Sequence, residues 1–266
     1  MEKSKSLKML GTLAVAAALA VATSPAMAAA APSGAPAYTC AGGEIPSGNY
    51  ASITVTGMCS VAEDAVVTVD GNVDVAAGAM LDAQTVPSTI TVGRNVTGAA
   101  GSLVGLGCQP RSATNPPNSA HDCFDEEGNP TDGVSDITVH GNVSITDADT
   151  VLLNGITVHG NVSLVGGGSF IPWAIKNNDI ARNLTVSDVT AEWVGVMFND
   201  VGGNVTLTDI WVTETHPGAE MAVYVVRNNV GRNLGCSGLG PNISWGFSPL
   251  RNVVGHKATG QCADGV

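Results

Sequence analysis

Lys176, Arg227, His216, Glu214 and Glu220 are the residues whose chemistry could move a proton or hold an anion, and they lie close together in the C-terminal half of the chain. A cation beside carboxylates and an imidazole can clamp a negatively charged ligand or act on it by acid–base steps. Aromatic side chains accompany them. Trp173 and Trp193 stand ten and eleven residues before Asn183 and Asn204, and Tyr224 follows. An exposed indole stacks on the apolar face of a pyranose, whereas a buried one only fills a core, and both readings are open at this point.

Other groups suggest metal chemistry and then fall short of it. His140 and His159 each lie two residues before an asparagine in a repeated word, which makes half a zinc site. The next copies of the word bring Ala181 and Gly202 to that place, so no third ligand follows and no metal is expected. Asp179 and Asp200 share one phase, and Asp147, Asp188 and Asp209 another, with neighbouring carboxylates about 5 Å apart if the repeats stack as strands. Such columns hold a cation or end strands by bonding local amides, and turn chemistry is the favoured reading. Six cysteines without a Cys-x-x-Cys pair most simply by proximity, as Cys40 with Cys59, Cys108 with Cys123 and Cys236 with Cys262. Fifteen pairings are open to six cysteines, and three disulfides imply an oxidising compartment. No cofactor and no catalytic residue is assigned.

The N-terminus agrees with export. Lys3, Lys5 and Lys8 precede an apolar stretch from Met9 to Ala22 and the small-residue site Ala26-Met27-Ala28, the pattern of a signal peptide spanning residues 1–28. That stretch is shorter than a membrane span needs, and no second one follows, so no membrane insertion is expected. Loss of residues 1–28 takes Lys and Arg from 11 to 8 and Asp and Glu from 23 to 22, a net charge of −14. A surface this acidic repels phosphates, which excludes nucleic acid as a partner. An Ala- and Pro-rich linker at 29–39 then leads to a single domain over 40–266.

The elements that position these residues follow from one recurring word. Val69-Asp70-Gly71-Asn72-Val73 returns around Asn95, Asn142, Asn161, Asn183, Asn204 and Asn233, with a degenerate last copy at Arg251-Asn252-Val253. Most steps are close to twenty residues, a solenoid period. The third residue before the asparagine and the first after it are Val, Ile or Leu in the first seven copies, and their neighbours are mostly Thr, Ser, Asp or Asn. This period-two alternation predicts two short strands joined by a tight turn, stacked coil upon coil. Asparagine suits the corner because it tolerates a left-handed backbone and bonds the same amide one coil away. Five of the Asn-x-Ser/Thr sequons arise from this pattern alone.

Three departures stand out. The fifth residue before the turn changes from Val67, Ile90, Ile137 and Ile156 to Asn178, Asn199 and Asn228, which implies a second asparagine column whose amides must pair with one another. Cys236 takes an inward place, so its bond to Cys262 would cap the open end. The 47-residue step from Asn95 to Asn142 holds one coil plus an insertion at about 106–132, stapled by Cys108 and Cys123.

Stacked coils turned at asparagine ladders resemble the right-handed parallel β-helix of the pectate-lyase-like superfamily. The resemblance covers roughly residues 45–260 and implies an all-β solenoid of roughly eight coils. The closing stretch from Asn229 to Cys236, with Gly260-Gln261-Cys262, is also similar to that of uncharacterised secreted bacterial β-helix proteins. Lyases and hydrolases of the superfamily carry Trp-x-Asp-His, arginines flanking a proline, Asn-Thr-Asp or Gly-His-Gly, and this chain has none of these. The expectation is therefore an extracellular or cell-surface protein without catalysis, structural or bound to a polysaccharide or cell-wall glycan. Trp173, Trp193, Lys176, Tyr224, Arg227 and His216 are its candidate contacts, on the strand preceding each asparagine corner. A β-helix lyase or glycoside hydrolase is the alternative. Ice binding ranks third, because the two Thr ranks lie either side of a turn and one decays into Asp and Asn.

Overall fold

The computed structural model describes residues 34–114, 118, 120–125, 127–213, 220–246 and 251–266. Short strands wind through three parallel sheets, here named A, B and C in the order the chain visits them. Sheet A has ten strands, and sheets B and C have nine each. The described residues thus form a parallel β-helix of nine coils closed by a tenth strand in sheet A. That is one coil more than the asparagine corners suggest, because the first corner, Ala51-Ser52, carries no asparagine and is a residue shorter than Asp70-Gly71-Asn72.

Valine, isoleucine and leucine fill the inner positions because a β-branched side chain suits a pleated surface and every rung must bury one face. One column runs Val73, Val96, Val143, Val162, Leu184, Val205, Leu234, each paired with the next by strand register. All seven are buried in one continuous core.

Two asparagine ladders lock the register of the coils. The outer one runs Asn72, Asn95, Asn142, Asn161, Asn183, Asn204, Asn233 at the corner from sheet C to sheet A. At each step the backbone N–H and Nδ2 of one asparagine donate to Oδ1 of the asparagine one coil earlier, as from Asn161 to Asn142 at 2.8 and 3.1 Å. None of these residues is left-handed. They occupy the corner for their side-chain bonds, so the backbone rationale drawn from sequence does not hold.

The inner ladder lies between sheets B and C and is buried. Asn178, Asn199, Asn228 and Asn252 form it, and its bonds point the other way: Asn178 donates to Asn199, Asn199 to Asn228 and Asn228 to Asn252. Asn252 therefore belongs to this column and not to the outer one. Strand register pairs Val230 with Val254, which places Lys257 at the corner opposite Asn233. Besides Asp64, the left-handed non-glycine residues are those just before three of the buried asparagines, namely Asn177, Phe198 and Arg227, together with Asp147, Asp188 and Asp209 in sheet A. The aspartates of the second set share their phase with the left-handed Gly166 and Gly238, a backbone conformation that turns favour.

All three disulfides pair as nearest neighbours, Cys40–Cys59, Cys108–Cys123 and Cys236–Cys262. Such bonds belong to an oxidising environment. The last one ties the C-terminal turn Gln261–Asp264 to the final full coil. Gln261 adds a pseudo-rung there, accepting the Leu239 N–H and donating to the Leu239 carbonyl, both at 2.8 Å.

Candidate functional site

The insertion packs beside the middle coils. After Cys108 it makes a short 3-10 turn at Arg111–Ala113, then a two-stranded hairpin of Cys123–Phe124 with Pro130–Thr131. It lies along the outside of sheet B in the middle of the solenoid, where the His121 carbonyl accepts the Gln109 N–H at 2.7 Å and Asn154 Nδ2 at 3.4 Å. Asn118 Nδ2 reaches across to Asn177 Oδ1 at 2.6 Å.

Against that wall, the outer face of sheet B is apolar. Strands Trp173–Lys176, Val194–Met197 and Val223–Val226 point Ala174, Lys176, Gly195, Met197, Tyr224 and Val226 outward. Met197, Ala222, Tyr224 and Val226 form a second apolar cluster separate from the solenoid core, with Trp193 and Phe198 packed on it. A cleft of about 380 Å³ opens beside the cluster, lined by His121, Leu152, Ile171, Pro172, Ala174, Lys176, Trp193 and Met197. Pockets of that size, mostly apolar with a few polar groups, are the usual form of a small-ligand site.

Trp193 is seated by its neighbours. A side chain at Gly195 would collide with the indole, so only glycine leaves room for the ring to lie on the sheet. Tyr224 flanks it at 5.4 Å between ring centroids. Tyr224 is itself only 5% exposed, with its hydroxyl accepting the Glu220 N–H at 2.7 Å. It packs beside the indole from the next coil.

Trp173 is a correction. It is 0% exposed, inside the core, with Nε1 donating to the Asp149 carbonyl at 2.9 Å. Register pairs it with Val194, so Trp173 points in and Trp193, one residue earlier in its coil, points out. The face also differs from the expected one. These strands belong to sheet B, one strand earlier than the two-residue strands of sheet C, such as Asp179–Ile180, that lead into the outer corners.

Lys176 and Arg227 line different recesses beside the insertion. Lys176 lines the cleft, where burial lowers its pKa to about 8 against an opposing pull from Asp122. His121 beside it is also pushed down, first by burial and then by Lys176. Arg227 lies in a second recess of about 330 Å³ with Gln109, Thr114, Asn118, Asn177 and Phe198, its guanidinium 5.6 Å over the Phe198 ring. His216 and Glu214 lie outside the described residues. His121 was missed by sequence because the insertion has no repeat to give it a register. The Gly195 seat was equally invisible, since it depends on which face Trp193 takes. Another tryptophan, Trp211, stands 54% exposed on sheet A over Gly240, whereas Trp193 is half-buried.

The lysine's environment has a measurable cost. Its folded pKa lies below the ordinary value of 10.5, so the unfolded chain binds more protons between about pH 8 and 10.5 and stability rises with pH across that window. Lys176→Met should remove this dependence and raise stability at pH 7 by ~1 kcal/mol. Urea unfolding of both forms at pH 7 and 10.5 checks it, and equal slopes with pH would show the lysine to be solvated.

Among the described residues no group of three His, Cys, Asp or Glu is arranged to hold a metal ion, and no helix is long and apolar enough to cross a membrane. A scan against protein-family models, a search of curated proteins and a search of solved structures each gave no match to this chain. The assignment to the parallel β-helix class thus stands on its own strands and ladders: three stacked parallel sheets cornered by two asparagine columns.

Proposed function

We propose that this is an exported, non-catalytic β-helix protein that binds a glycan in the cleft on sheet B, with Trp193 as the stacking surface and Lys176 as the anchor for an acidic group. The observation that carries the reading is the cleft itself, an apolar hollow of about 380 Å³ in which an indole seated on glycine stands beside a lysine and a histidine. Indole faces take up the apolar side of a pyranose, and a desolvated ammonium favours a carboxylate. The lysine supplies local positive potential despite a negative surface overall. Export fits the disulfides and the N-terminal pattern.

Trp193→Ala should weaken retention of the protein on acidic polysaccharide gels about tenfold or more, while its circular dichroism and unfolding midpoint change little. Loss of fold with unchanged retention of the folded fraction would make Trp193 a packing residue and sink this site.

A lyase reading has one observation in its favour. An amine with a pKa of about 8 is partly neutral in mildly alkaline solution and could take a proton beside a carboxylate. Incubation with acidic polysaccharides separates the two: formation of unsaturated ends that Lys176→Met abolishes identifies an enzyme, and intact polymer identifies a binder.

A further inference from the structure

On the outer corner away from the cleft, register pairs Val139 with Val158 and so sets His140 opposite His159 on consecutive coils. Their Nδ1 atoms are 3.0 Å apart, with ring centroids 4.8 Å apart and planes inclined at 63°. The backbone beneath them is fixed: His140 N–H donates to the Val92 carbonyl and His159 N–H to the Val139 carbonyl, both at 2.9 Å. Two residues further on, the outer ladder joins Asn142 to Asn161.

At the histidines' own phase the flanking coils carry only small residues, while Arg94 and Arg182 stand one position further along those coils. Gly93 and Ala181 hold the equivalent place one coil to either side. Gly141 and Gly160 follow the histidines, and a side chain at either would collide with a carbonyl of the preceding coil. Both imidazoles are exposed.

We propose that His140 and His159 form a bidentate site for a divalent transition-metal ion of tetragonal preference, Cu²⁺ or Ni²⁺, with water in the remaining positions. The spacing favours one class of ion. Metal–nitrogen bonds of about 2.0–2.1 Å place two cis nitrogens about 2.8–3.0 Å apart at a right angle, but about 3.3–3.4 Å apart at the tetrahedral angle. The observed 3.0 Å meets the first condition, and square-planar or tetragonal nitrogen sites select Cu²⁺ and Ni²⁺. A structural zinc site needs four ligands, and only two are present in this phase. Because the coils are already registered by the ladder, the ion meets two ligands in place and little ordering cost remains.

The test uses the untagged full-length exported protein and CuCl₂, NiCl₂ and ZnCl₂ in turn. One Cu²⁺ per chain is expected at this site, with two imidazole nitrogens in its paramagnetic resonance spectrum. Loss of an orienting partner of a ligand already weakens metal sites about 10–100-fold, so His140→Ala and His159→Ala should each cost at least about tenfold. His256→Ala, at a lone exposed histidine, should change nothing. Absence of copper binding, a one-nitrogen spectrum, or copper binding unaltered in the double His140→Ala/His159→Ala protein would overturn the proposal.

Discussion

Asn199→Leu should lower the free energy of unfolding by about 4 kcal/mol or more, a loss outside the range of ordinary substitutions. Asn199 is buried, and its amide is used to capacity. Its N–H and Nδ2 donate to Asn228 Oδ1 at 3.1 and 2.9 Å, and Nδ2 also donates to the Ile175 carbonyl at 2.9 Å. Its Oδ1 accepts both the N–H and Nδ2 of Asn178, at 3.1 and 2.9 Å. Leucine of similar size would strand the Asn178 backbone N–H, leave Asn178 Nδ2 with only the Leu153 carbonyl and Asn228 Oδ1 with only the residue-199 N–H, and take a donor from the Ile175 carbonyl, all without water to replace the partner. The outer ladder provides the contrast. Asn161→Ala breaks bonds of the same geometry at a corner open to solvent, and should cost only about 1 kcal/mol because water takes the vacated places. Chemical denaturation of both variants measures the difference, and equal losses would refute the distinction between the ladders.

The second large effect concerns the C-terminal cap. Deletion of residues 261–266 should cost about 5 kcal/mol, because it removes a disulfide and the end of the inner ladder together. The Cys236–Cys262 bond spans 26 residues, and closing a loop of that length contributes about 3 kcal/mol in the chain-entropy account. The Gly265 carbonyl accepts both the N–H and Nδ2 of Asn252, so its loss strands that N–H and leaves Nδ2 with only the Val225 carbonyl. A solenoid coil without its next neighbour frays, so the damage should be local to the final coils. Cys236→Ala/Cys262→Ala, which keeps residue 265, should cost only the disulfide's share. Hydrogen exchange of the last three coils resolves the two cases, and uniform loss of protection along the whole helix would argue against a local cap.

The period-two pattern around Asn72 to Asn233 was enough to read the outer ladder and all coils but one, because a solenoid repeats its physics at a fixed phase, and cysteine proximity gave the disulfides. The change from Ile156 to Asn178, Asn199 and Asn228 also revealed the inner column. Asn252 was assigned to the wrong ladder because, once the repeat decays, an asparagine at one corner resembles an asparagine at the corner five residues earlier. The tryptophans show how far a single residue matters. Trp173 and Trp193 stand ten and eleven residues before their asparagines, and in a strand that difference of one puts them on opposite faces. His121 and the wall it forms come from a hairpin outside the repeat, whose position depends on contacts such as Asn118 with Asn177 that no spacing encodes.

Hydrogen exchange in the presence of an acidic oligosaccharide tests the central claim most directly, because it reports where a glycan lies and not merely that one binds. Binding in the cleft predicts slowed exchange confined to residues 121–124, 171–176 and 193–197, abolished by Trp193→Ala. Protection on sheet A around Trp211, or no protected segment with any acidic oligosaccharide, would contradict a glycan site on sheet B.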